Sequence, residues 1–112
     1  MAPAGLRRRG DSHGGADAVI DLDTRVRLAR KARLRRDPRS NNMMLLYPER
    51  GLELNESGAR IAELCVETRG VGELIELVAA RVSDTPRAVI ERDVLDFLRV
   101  LDARGLLEVT HP

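Results

Sequence analysis

At 112 residues and 12.4 kDa the chain holds enough polypeptide for one small hydrophobic core, which excludes a large multidomain enzyme. Its 19 basic and 18 acidic residues leave a net charge of +1, so there is no whole-molecule field to attract nucleic acid or an acidic membrane. The longest apolar run, Met43 to Tyr47, is far short of the ~20 residues that span a bilayer, and the single cysteine, Cys65, excludes an intrachain disulfide or a thiolate metal cage. A soluble protein of a reducing cytoplasm, without membrane contact, is expected.

Residues 1–20 carry Gly5, Gly10, Gly14 and Gly15 and no apolar periodicity, which reads as a disordered tail preceding a domain over 21–112. Arg7, Arg8 and Arg9 are followed by glycines, aspartates and a histidine instead of an apolar stretch, so no export signal is expected. From Arg25 the pattern alternates: Val26, Leu28, Ala32 and Leu34 occupy even positions, and Arg25, Arg27, Lys31, Arg33 and Arg35 odd ones. Period two predicts a strand. The turn residues Asp37 to Asn42 and the apolar run Met43–Tyr47 complete a hairpin, and a second turn around Pro48, Glu49, Arg50 and Gly51 leads through Leu52, Glu53 and Leu54 as a brief third strand.

Three helices follow. Asn55 stands as an N-cap before Ala59, Ile61, Ala62, Leu64 and Cys65, predicting a helix near 56–67. Leu74, Ile75, Leu77, Val78 and Val82 predict a second near 71–82. Ser83, Asp84 and Thr85 offer caps, Pro86 suits a first helical position, and Ile90, Val94, Leu98 and Leu101 carry the longest helix, near 86–104, to a stop at Gly105. The expected fold class is α+β and winged-helix-like: a three-stranded antiparallel sheet followed by a three-helix bundle.

Catalysis is not indicated. None of the common phosphate, dinucleotide, hydrolase or zinc motifs occurs, so no catalytic residue, metal or cofactor is expected. His13 and His111 lie near the chain ends, where no general base could be held in place, and Cys65 sits on an apolar stripe as a small core residue. A winged-helix regulator of nucleic acid is a second reading, but Arg87, Arg92, Arg99 and Arg104 of the third helix are offset by Glu91, Asp93, Asp96 and Asp102. Only seven residues follow Gly105, too few for a two-stranded wing, so no specific nucleic-acid binding is expected. The basic excess lies in residues 1–39, with 11 basic and 5 acidic residues, and its odd-numbered arginines read either as a solvated strand face or as a docking surface.

A short third strand beside a long helix forms a groove in which an extended peptide could add as a strand, using backbone hydrogen bonds and no catalytic group. On the third helix Ile90, Leu98 and Leu101 face the core around Val94, while Val89, Phe97 and Val100 lie to one side with Asp93 among them. They widen the core face or line the groove.

Arg33-Leu34-Arg35-Arg36-Asp37, Leu45-Leu46-Tyr47-Pro48-Glu49 and Leu54-Asn55 leading to Ile61 and Leu64-Cys65 resemble the PqqD family of pyrroloquinoline quinone biosynthesis. Asp93-Val94, Phe97-Leu98, Leu101 and Gly105-Leu106-Leu107 resemble that family's last helix and its exit. The likeness spans about residues 25–108. It departs at Val66-Glu67-Thr68-Arg69-Gly70, where the family commonly has Asp-Gly after the cysteine, and at Val82, where a tyrosine is frequent. The resemblance implies a peptide chaperone, a recognition element for a ribosomally made and modified peptide. It would bind the precursor PqqA along the third strand, Arg50, Gly51, Leu52, Glu53 and Leu54, and against the last helix at Val89, Asp93, Phe97 and Val100, and present it to PqqE, a radical S-adenosylmethionine enzyme; a homodimer is compatible with this role. A recognition element of another peptide-modification pathway and a scaffolding subunit are the other readings. The chain itself cannot be the radical enzyme, whose cluster requires three closely spaced cysteines.

Overall fold

The alternation over residues 25–35 belongs to two strands, not one. In the computed structural model, which describes residues 20–82 and 84–111, β1 (Arg25–Leu28) ends in a turn closed by the Ala32 N–H donating to the Ala29 carbonyl at 3.0 Å, and β2 (Arg33–Arg36) joins a different sheet. The four turn residues 29–32 preserve parity, so the period-two pattern runs through the break unaltered.

β2 pairs antiparallel with β3 (Met43–Tyr47), and β3 with β4 (Arg50–Leu54), giving the expected front sheet. The β2–β3 turn is tied by the Asp37 carboxylate, which accepts from the Arg39 N–H and the Ser40 hydroxyl, with Asn41 in the left-handed region at φ 63°. Tyr47 faces Arg50 across Pro48 and Glu49, so Arg50 and Gly51 belong to the strand instead of the turn. Glu49 takes φ 65°, the conformation a type II turn demands after proline. Leu34, Leu45 and Leu52 form one cross-strand row on the core side; Arg35, Met44 and Glu53 form a row on the outer side.

A second sheet was not expected. β5 (Arg69–Gly70), β1 and β6 (Leu107–Thr110) pair antiparallel in the order β5-β1-β6, with Val26 opposite Val109 and Leu28 opposite Leu107. The residues after Gly105 are too few for a hairpin but sufficient for one strand, because the partner, β1, lies elsewhere in the chain.

The helices are shorter than the periodicity predicts. α1 (Glu56–Leu64) is capped by Asn55, whose Oδ1 accepts from the Gly58 N–H at 2.7 Å, and ends at Cys65. α2 (Val71–Ala79) ends before Val82, which lies exposed. α3 (Arg87–Ala103) has Pro86 as its N-cap, outside the helix, with no side-chain cap bond; Asp84 and Thr85 do not cap it, and Ser83 lies outside the described residues. At the other end Gly105, at φ 74°, lets its own N–H reach the Asp102 carbonyl and the Leu106 N–H reach the Leu101 carbonyl at 2.8 Å, satisfying two terminal carbonyls.

Ile90, Val94, Leu98 and Leu101 of α3 are buried, as predicted, with Leu74 and Ile75 of α2, Ile61 and Ala62 of α1, Val26 and Leu45 in one core. Ile20, assigned above to the tail, is only 3% exposed and belongs to this core. It is followed by a clip in which the Thr24 hydroxyl accepts from the Asp21 N–H at 2.9 Å. The rest of the expected tail, residues 1–19, lies outside the described residues.

Candidate functional site

Among the described residues β4 pairs with β3 alone, so it is an edge strand whose second side presents unpaired backbone groups. Leu52 and Leu54 turn inward, half-buried and buried; Gly51 and Glu53 turn outward and are exposed, Glu53 holding the Asn42 side chain; Arg50 shares the inner side with Tyr47.

Two contacts tie α3 to elements that flank the two ends of this strand, α1 and β3. The ring of Phe97 lies over Gly58, one turn beyond the end of β4. At the other end the Arg104 guanidinium donates to the Tyr47 hydroxyl at 3.5 Å, and Tyr47 is the register partner of Arg50. The helix from Phe97 to Arg104 covers roughly 10 Å and the strand roughly 13 Å, so the two contacts are spaced much as the two ends of the strand are. Between these ties Val100 is 45% exposed although it is apolar.

The predicted residues are therefore only partly brought together. Phe97 rests on Gly58 of α1, just past the end of β4, and Val100 lies one helical turn before Arg104. Asp93 joins Phe97 and Asp96 across from Asn55, Gly58 and Ile61 around a cavity of about 300 Å³ at the end of the strand. Val89 is half-buried two helical turns before Phe97 and does not line that cavity. Asn55 and Gly58 were missed as site residues. The signal was Gly58 itself, since a glycine inside a helix costs up to about 1 kcal/mol and often marks a close approach.

Charge differs between the two ends. Arg50 and Arg104 stand at the Tyr47 end, and the Lys31 ammonium approaches Gly105, so cations collect at the negative end of the α3 dipole. Asp93 and Asp96 stand at the other end, each beside an arginine of its own helix, Arg92 at 4.0 Å and Arg99 at 3.2 Å. A larger cleft of about 840 Å³ beside the outer face of α1 carries both signs, with Arg36, Arg60 and Arg81 against Glu53, Glu56 and Glu63. Burial pushes the Cys65 thiol up to about 12, against the opposing charge of Arg69, so it stays protonated and unreactive.

Residues 42–107 match the family model of coenzyme PQQ synthesis protein D (PqqD). The chain belongs to the PqqD family. That family consists of non-catalytic peptide-binding proteins, and this PqqD-family protein is not an enzyme. It is 37% identical over 88 residues to the PqqA binding protein of Rhodopseudomonas palustris strain TIE-1, covering 79% of this chain and 85% of that one. It is 33% identical over 95 residues to the PqqA binding protein of Rhizobium meliloti, covering 84% and 96%. Among solved structures it is similar to the PqqD truncation of Methylobacterium extorquens PqqCD, described as a stand-alone recognition element for ribosomally synthesised and modified peptides. The TM-score is 0.64 at 31% identity, with 75% of this chain and 88% of that one covered. TbiB1 in complex with the TbiA(beta) leader peptide superposes with a TM-score of 0.63 at 27% identity, over 73% and 94%.

Proposed function

We propose that this protein binds the precursor peptide PqqA as an added strand along Arg50–Leu54, with apolar peptide side chains against Phe97 and Val100, and presents it to the radical S-adenosylmethionine enzyme PqqE in the cytoplasm. The observation that carries the reading is the unpaired edge of β4, together with the exposed apolar Val100 on α3 between the Phe97–Gly58 and Arg104–Tyr47 contacts. Strand addition satisfies the free backbone groups of β4, and Val100 loses water as it meets the peptide. Similarity to curated PqqA binding proteins supports the identity of the peptide. Complexes of this kind, one strand and one or two side chains deep, hold at about micromolar affinity.

The test is a titration of labelled protein with PqqA alone. Amide shifts concentrated at residues 50–54 and along 93–104 support the reading; shifts confined to residues 25–35 refute it. A second reading is service in another peptide-modification pathway, favoured by the near-equal likeness to TbiB1, whose solved complex holds a leader peptide. A protein that ignores PqqA but binds a different leader with the same shift pattern supports that second reading.

A further inference from the structure

The outer face of the front sheet carries four exposed residues, Arg33, Arg35, Gly51 and Glu53, around the half-buried Met44 and Leu46. Register places Arg33 beside Leu46 and Gly51, and Arg35 beside Met44 and Glu53, on this side. Gly51 makes the patch flat: a β-carbon there would lie 3.2 Å from both Leu46 Cδ2 and Met44 Cε, so both side chains lean across it. Met44 and Leu46, with Arg35, Arg36 and the Asp37-Pro38 turn, enclose a mainly apolar hollow of about 280 Å³. Neither Met44 nor Leu46 belongs to the core or packs on it.

The charge around the hollow is positive on balance. Arg33, Arg35 and Arg39 have no ion-pair partner among the described residues. Two carboxylates lie nearby, Asp37 held by its own turn and Glu53 by Asn42; these neutral donors do not cancel their charge, but the arginines outnumber them. An apolar hollow on a sheet face where guanidinium groups outnumber carboxylates fits an apolar projection surrounded by carboxylates.

The hollow also adjoins the peptide. A strand added to the free edge of β4 would make the front sheet four-stranded, and every second residue of that strand would then project from this outer face, in line with Gly51 and Glu53. We infer that the outer face of the front sheet, Arg33, Arg35, Met44 and Leu46, is the docking surface for the enzyme that modifies the bound peptide, through an acidic-rimmed apolar patch on that enzyme. This rests on the strand-addition reading above. The enzyme then meets a composite surface in which protein and peptide side chains share one face, while the opposite face of the added strand is held against α3.

The test uses full-length protein with PqqA and PqqE as probes, binding of each being measured separately by calorimetry. Arg33→Glu/Arg35→Glu, both exposed, should weaken association with PqqE by about tenfold or more, because like charges then face each other. It should leave PqqA affinity within about twofold, as expected of surface changes away from a site. Leu46→Asp, checked for its melting temperature, should do the same without altering the rim. Wild-type association with PqqE should weaken as salt rises. The inference is overturned if PqqE does not bind the wild type, if it binds folded variants as tightly as the wild type, if the variants lose PqqA in parallel, or if the wild type prefers duplex DNA to PqqE at physiological salt. Failure of the wild type to bind PqqA would instead refute the strand-addition reading, with the PqqE arm still reporting on the sheet face.

Discussion

The Phe97 ring and Gly58 are in such close contact that a β-carbon on the glycine would stand 3.0 Å from Phe97 Cε1. The absence of a side chain at one position of α1 thus sets where an aromatic ring of α3 rests, and with it the line of the helix past Asn55 and the end of β4.

A double-mutant cycle should expose this contact. Gly58→Ala gains helix propensity, by less than the ~1 kcal/mol of an interior position because Gly58 lies in the first turn. The ring must move to admit the methyl group, and the Asn55 Oδ1, 3.1 Å from it, must give slightly in either background. In the wild-type background the gain should largely disappear; in a Phe97→Ala background it should return. Equal effects in the two backgrounds, measured by urea unfolding, would show that the ring yields without cost.

Val100→Asp should weaken PqqA binding by about tenfold, equivalent to about 1.4 kcal/mol, while the melting temperature changes little because the side chain is already 45% exposed. Phe97→Ala should weaken binding comparably and also lower stability, since that ring is half-buried. Anisotropy with labelled peptide and a thermal melt separate the two effects. Unchanged binding in folded Val100→Asp would remove α3 from the site.

Ile20→Ala should destabilise by about 2 kcal/mol, at the lower end for a buried isoleucine, because its site lies at an edge of the core. Leu22→Ala, at a position 51% exposed, should change stability by no more than about 0.5 kcal/mol. Truncations ending after residue 19 and after residue 20 should differ in melting temperature in the same direction. Equal stabilities would return Ile20 to the tail.

Burial holds the Asp102 carboxyl above its ordinary range, in the last turn of α3 where the helix dipole also opposes negative charge. Folding therefore favours its protonated form. The folded state binds the proton more tightly than the unfolded one, so this group's contribution to stability falls as pH rises from the ordinary aspartate value through its raised folded value. Asp102→Asn should stabilise the neutral-pH protein by a few tenths to about 1 kcal/mol, the half-exposed site being screened by water, and the gain should vanish in acid. A gain that persists at low pH would point away from the charge.

Local patterning was sufficient wherever an element's own residues specify it. The leucine row of the front sheet, the inward face Ile90, Val94, Leu98 and Leu101, the Asn55 cap and the Gly105 stop all follow from side-chain period and from terminal N–H and carbonyl groups that need partners nearby in the chain. The Leu52–Leu54 end of the edge strand and the wide apolar flank of α3 were legible in the same way, whereas Arg50 and Gly51 read locally as turn and join the strand only through pairing with β3. Tertiary structure alone decided what those rules cannot see. A four-residue turn keeps the alternation of a strand in step, so the division of residues 25–35 between two sheets has no local signature. β6 exists because β1 stands ready to pair with it from about 80 residues away, a non-local closure that no short-range pattern encodes. The matching of β4 to Phe97–Arg104 likewise depends on a ring resting on Gly58 and a guanidinium reaching Tyr47, contacts between segments about 40 and 60 residues apart that exist only once the core has formed.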